Sequence, residues 1–260
     1  MNGMVVKNRR RLRSWCRCKP EETSEDVLGY LMCNCGEEHK IFQWNWEDDS
    51  STNRILSNQN LEVLFHPHYS SGTAFVKGTL PMRANLHYYW EIKVLTVLYG
   101  TDVMIGVGTS SMRLSDWKLH FCSVLGGNED SWGYSYTGRI QHNQLSYSYG
   151  STFTIGSLVG VHLDMCNGTL EYYLNRRPLG IAFSNLKEHE LYPLLCSTAA
   201  HSAIRITCCF SLPASLQMEC LKIVGKHPKL LRQFRKFSGL VDMLQKKYFW
   251  LIPPQRRKDK

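Results

Sequence analysis

Between Ile41 and Leu212 apolar side chains recur at every second position in short runs, and glycine and asparagine separate the runs. That period sends alternate residues to opposite faces of an extended strand, so each run has a face to bury. In HYYWEIKV, Tyr88, Trp90, Ile92 and Val94 share one face while Tyr89, Glu91 and Lys93 share the other. DVMIGVGT is apolar almost throughout, as suits a strand covered on both sides. VGVHLD and TLEYYL flank the turn MCNG. They predict a hairpin in which Val159, Val161 and Leu163 face the same core as Leu170, Tyr172 and Leu174. The alternation returns in IRITCCF through Ile204, Ile206, Cys208 and Phe210, and Trp132 of EDSWGY reads as a core anchor. Many short strands with turns and no long helix between them predict a mainly β fold, an antiparallel β-sandwich spanning residues 41–212.

After Pro213 the apolar period lengthens to about 3.6. SLQMECLKIV, residues 215–224, predicts a helix with Ser215 as N-cap and Glu219 near its positive end. Leu216, Cys220 and Val224, with Ile223 beside them, form one narrow apolar stripe. SGLVDMLQKKYFW predicts a second helix, with Ser238 as N-cap and Leu240, Met243, Leu244 and Tyr248 on a face. Pro228 breaks the segment between them and Pro253-Pro254 ends the helical region, residues 213–254. Helices this short are marginal alone, so the sandwich or another protein must cover them.

Residues 1–40 lack periodicity and read as a flexible arm. The net charge of +9 is concentrated at the ends: residues 1–19 hold seven Lys/Arg and no acid, and residues 222–260 hold twelve against two acids. Residues 20–221 keep twelve basic and twenty acidic side chains, an acidic centre that argues against nucleic-acid binding outside the tails, including the basic tail 255–260. No apolar run reaches the roughly 20 residues of a membrane helix, and the N-terminus lacks the apolar stretch of a secretory signal. Ten cysteines are then expected as reduced thiols in a cytoplasmic or nuclear protein, with Asn167-Gly168-Thr169 a turn rather than a glycosylation site.

No catalytic constellation emerges. Cys16, Cys18, Cys33 and Cys35, with His39 nearby, sit in C-x-C pairs that lack the two-to-four-residue spacer of a zinc finger, so no metal is expected. His120-x-Cys122 has no third partner, and GVGTSS lacks the third glycine of a dinucleotide-binding loop, so no cofactor is expected.

The landmarks WEIKV, GVGTS, LGGNEDSWGYSYTG, VGVHLDMCNGTLEYYLNRRPLGIAF and LYPLLCSTAAHSAIRI occur in an order that resembles a SPRY domain. SLQMECLKIV is similar to the box that opens a SOCS box. Together they resemble the SPRY domain- and SOCS box-containing proteins, a likeness that covers roughly residues 33–254. It implies a non-catalytic substrate receptor of a RING E3 ubiquitin ligase. In that reading Leu216, Cys220, Ile223 and Val224 dock on elongin C, which is paired with elongin B. Leu251, Pro253 and Pro254 meet cullin 5, although the family's Leu-Pro-aliphatic-Pro is here Leu-Ile-Pro-Pro. The sandwich captures a short, asparagine-containing degron at Phe65, Pro67 and Tyr69, at Phe121 and Val124, and at Thr198, Ala199 and Ala200. Family members with the described peptide preference carry arginine and tryptophan where this chain has Phe65 and Ala199, which implies different flanking residues. The alternative is a SPRY binding scaffold whose C-terminal helices are merely structural.

Overall fold

The structure is a computed structural model, which describes residues 15–16, 33–112, 119–234 and 236–251. Thirteen strands are described, and they form two antiparallel sheets. The seven-stranded sheet runs in the order β1 (Arg54–Ser57), β2 (Glu62–Phe65), β13 (Ser202–Pro213), β4 (Leu86–Val94), β9 (Leu158–Asp164), β10 (Thr169–Leu174) and β11 (Arg177–Phe183). The six-stranded sheet runs β3 (Ala74–Lys77), β12 (Leu191–Ser197), β5 (Val103–Thr109), β6 (Ser131–Ser135), β7 (Arg139–His142) and β8 (Leu145–Ser148). Three helices follow: α1 (Leu216–Gly225), α2 (Pro228–Phe234) and α3 (Ser238–Lys246). Among the described residues no helix is long and apolar enough to cross a membrane.

The core between the sheets is built from alternate strand residues. Tyr88, Trp90, Ile92 and Val94 enter it from β4, and Val103, Ile105 and Val107 from β5. The β9–β10 hairpin pairs Leu163 with Leu170 and Val161 with Tyr172, and both strands point their predicted residues inward. In the turn joining them Gly168 adopts φ +67, and an added Cβ would lie 2.8 Å from the backbone nitrogen of Lys187. Asn167 is held within this turn by its side-chain bond to Asp164. Trp132 joins the core and stacks on His142, with ring centroids 4.6 Å apart.

Three expectations change. The alternation in β13 reverses at a β-bulge between Ile206 and Cys208. Ile204 and Ile206 face the core, whereas Cys208 and Phe210 face outward and Cys209 takes the inward place, because one extra residue flips every later side chain. The N-cap of α3 is Phe237, which makes no side-chain cap bond, and Ser238 is the first helical residue. The third change concerns the arm, whose described residues pack on the sandwich. Cys16 and Cys33 are buried, and Arg205 pairs with Glu37 at 2.8 Å.

That packing explains why the second face of β4, despite its two charged residues, is not solvated. Glu91 and Lys93 are buried along with Tyr89. Arg176 holds Glu91 through Nε at 2.9 Å and through an Nη at 3.0 Å, and the Tyr89 hydroxyl donates to the same carboxylate at 2.7 Å. Burial pushes the Glu91 carboxyl up, opposed by Arg176 and Tyr89. Arg176 also reaches Glu38 and lies over the rings of Trp15 and Phe249, so one guanidinium ties the N-terminal segment, the sheet and the C-terminal segment together.

Candidate functional site: an exposed helix stripe and a loop-lined end

Helix α1 starts where Ser215 accepts a hydrogen bond from the Met218 amide at 3.2 Å. Its first turn carries Glu219, which pairs with Lys222 at 2.8 Å. Met218 and Leu221 point into an outer apolar cluster with Tyr89, Tyr173, Cys208, Phe210, Leu244, Tyr248 and Trp250. Trp250 stacks on Tyr89 at 4.7 Å between ring centroids. Gly225 continues this face, and an added Cβ there would lie 2.9 Å from the Leu251 carbonyl oxygen.

At about 100° per residue, the predicted stripe lies roughly 150° around the helix from this buried face. Leu216 is 81% exposed, Ile223 is 60% exposed, Cys220 is exposed and Val224 is half-buried. The helix therefore has two apolar faces. One is satisfied by the sandwich, and the other is presented to solvent. Leu251 is half-buried against the outer cluster, while Pro253 and Pro254 lie outside the described residues.

At one end of the sandwich the three predicted peptide-binding stretches meet around Asp102. The Thr198 amide donates to the Asp102 carbonyl at 3.0 Å, and the Thr198 hydroxyl accepts from the Asp102 amide at the same distance. The Asp102 carboxylate accepts from Ser123, which lies between Phe121 and Val124, at 2.5 Å and from Ser135 at 2.6 Å. Burial pushes this carboxyl up, and the two hydroxyls oppose the shift. Ser70, next to Tyr69, donates to the Thr198 carbonyl at 2.7 Å.

This frame divides the predicted residues. Tyr69 is 78% exposed and Phe121 53%, with Pro67 and Ala200 half-buried at the same end. Phe65, Val124, Thr198 and Ala199 are buried. Phe65 and Ala199 belong to the main core, and Val124 packs with Phe75 and Met104 outside the six-stranded sheet. Their side chains support the loop end and do not form its surface. Tyr99 was missed: it is half exposed, and its hydroxyl donates to the Ala200 carbonyl at 2.7 Å. Its signal in the sequence is the turn at Gly100, whose φ of +82 lets the loop close against Thr198. His66 was also missed. Its ring bonds the Ser197 carbonyl at 3.1 Å, and burial keeps the imidazole below its ordinary range.

A SPRY domain family model matches residues 87–210. The chain is 44% identical over 191 residues to SPRY domain-containing SOCS box protein 3 of Xenopus tropicalis, covering 72% of this chain and 52% of that protein. Against human SPRY domain-containing SOCS box protein 1 the identity is 28% over 200 residues, covering 73% and 71%. The chain thus spans about half the length of the Xenopus tropicalis protein that it matches. Among solved structures, the SPRY domain of human HERC1 superposes with a TM-score of 0.50 at 19% identity, covering 62% of this chain and 96% of that one, a likeness of fold alone.

Proposed function

Because this chain belongs to the SPRY domain-containing SOCS box proteins, we propose that it is the substrate receptor of an elongin B/C–cullin 5 RING E3 ubiquitin ligase. The carrying observation is α1. A ten-residue helix that buries Met218 and Leu221 in its own molecule still exposes Leu216, Cys220 and Ile223 on the opposite face. An apolar stripe of this kind seeks a hydrophobic groove, read through anchors one helical turn apart. Elongin C supplies that groove, and Cys220 suits a tight slot as a small hydrophobe. The loop end around Tyr69, Tyr99 and Phe121 captures a short, asparagine-containing degron, whose amides offer donors and acceptors that backbone groups can read. The chain performs no chemistry itself. It brings the substrate to the RING and its ubiquitin-charged enzyme, which leads to ubiquitination and proteasomal degradation.

The test is co-expression with elongins B and C, comparing the native chain with Leu216→Asp/Cys220→Phe by size-exclusion chromatography. Asp is favourable in a first helical turn, and both positions are exposed, so the helix survives while the stripe is lost. Co-elution of the native chain alone supports the proposal. A folded native chain that fails to co-elute leaves a free-standing SPRY binding module.

A further inference from the structure

We propose that Cys16, Cys33 and Cys35 form a thiolate site for a zinc ion, which fastens the N-terminal segment to the outer face of the seven-stranded sheet. A two-to-four-residue spacer is needed where a single knuckle supplies both ligands of a pair. The fold instead draws them from two segments, so that the sulfurs of Cys16, Cys33 and Cys35 lie within 4.8 Å of one another. Zinc–sulfur bonds of about 2.3 Å in a tetrahedron require sulfurs about 3.8 Å apart, within reach of this cluster. Cys16 and Cys33 are buried, and their sulfurs are 3.0 Å apart, well beyond the roughly 2.05 Å of a disulfide. A fourth cysteine, Cys18, is two residues along the chain from Cys16. It lies outside the described residues.

Lys93 provides an independent indication. Its side chain is 1% exposed, and Nζ donates to the Cys33 sulfur at 3.0 Å and to the Cys33 carbonyl at 2.7 Å. No carboxylate among the described residues pairs with it. A buried ammonium without a counter-charge is strongly unfavourable, and a neutral thiol is a poor acceptor. The Cys35 amide also donates to the Cys33 sulfur, at 3.4 Å. Two donors converging on one sulfur, one of them a buried cation, match a metal-bound thiolate. Three thiolates around a divalent ion carry one net negative charge, which the lysine neutralises. The surrounding turn is shaped for this: Gly36, at φ +90, follows Cys35 and lies against the Trp15 indole, while the Cys16 amide donates to the Gly156 carbonyl at 3.2 Å. Lys93 acts in the outer shell, where loss of a partner typically weakens metal binding about 10–100-fold.

The experiment is metal analysis of the full chain purified under reducing conditions without chelator, together with absorption spectra of protein from cells supplied with cobalt. One equivalent of zinc is expected, along with the thiolate-to-cobalt charge-transfer bands and intense visible bands of a tetrahedral site. Cys33→Ser should reduce the metal to a trace, and Cys122→Ser, in a half-exposed loop outside the cluster, should retain it. Lys93→Met should keep the metal but release it to a competing chelator at about tenfold lower concentration. Since Cys33→Ser can fail to fold, the native chain decides. Folded native protein without stoichiometric zinc, or with a Cys16–Cys33 disulfide in its peptide map, overturns the proposal. So does undiminished zinc in a folded Cys33→Ser chain.

Discussion

Truncating the two faces of α1 must have opposite consequences. Met218 is fully buried in the outer cluster, so Met218→Ala removes a packed side chain and leaves a cavity. That costs about 2–5 kcal/mol. At roughly 2–4 °C per kcal/mol for a chain of this size, the melting temperature falls by about 4–20 °C. Leu216 lies on the same helix but is 81% exposed. Leu216→Ala removes little from the free chain, and its stability should stay within about 0.5 kcal/mol of the native value. In a complex that buries the side chain, the lost methine and two methyl groups amount to about 2 kcal/mol, or about a thirtyfold weaker dissociation constant. Differential scanning calorimetry measures the first quantity, and isothermal titration against purified elongin B/C measures the second. Hydrogen exchange at α1 shows whether the helix itself is intact. If Leu216→Ala melts as early as Met218→Ala, the exposed stripe is part of the chain's own packing. If it melts normally yet binds with native affinity, the stripe is not the docking face. Either result refutes the reasoning.

Other outcomes follow from the buried charges and the loop end. Arg176→Ala strands Glu91 in the interior and should destabilise the chain by about 3–5 kcal/mol in urea unfolding, whereas replacing both partners by apolar residues should recover much of that loss. Acid should loosen the underside of α1. Burial, Lys222 and His87 together push His162 down to about 3 against the opposing pull of Asp164. The unfolded chain therefore binds the proton more readily below pH 6.5. Stability present above that pH is lost as pH falls toward 3, by about 2 kcal/mol at pH 5 for this one group, measurable as a pH series of thermal melts. The Asp164 carboxyl acts in the same direction: it is held below its ordinary value by Asn167, His87 and Lys222 despite its burial. At the loop end, Tyr99→Ala and Phe121→Ala should weaken binding of asparagine-containing peptides at least tenfold in fluorescence polarisation without lowering the melting temperature. Phe65→Ala should instead destabilise the fold by about 3–5 kcal/mol, because that ring is in the core. Equal effects of all three on melting would contradict this division.

The sandwich and its inward residues were legible because period-two patterning is local: Tyr88, Trp90, Ile92 and Val94 of β4 face the core as their spacing predicts. The stripe on α1 was legible for the same reason, since spacing alone places Leu216, Cys220 and Val224 together. The sequence could not say which face of that helix would remain free. That depended on Met218 and Leu221 finding Trp250 and Tyr89, which are distant in the chain. Nor was the bulge in β13 visible, because the adjacent pair Cys208-Cys209 leaves either cysteine free to face inward, and only pairing with β4 selects the register that turns Cys209 to the core. The expected peptide-binding residues come from the family resemblance, carried over position by position. Position places the three stretches at one end, but only packing decides that Phe65 turns inward while Tyr99, from another loop, turns out. The burial of Lys93 and Glu91 is also a tertiary decision. Alternation alone would leave them on the solvated face of a strand, and they become interior only because segments from both ends of the chain close over that face, where Lys93 donates to the Cys33 sulfur and carbonyl and Arg176 of the β10–β11 turn holds Glu91. Local sequence determines which residues share a face, and long-range packing determines what that face meets.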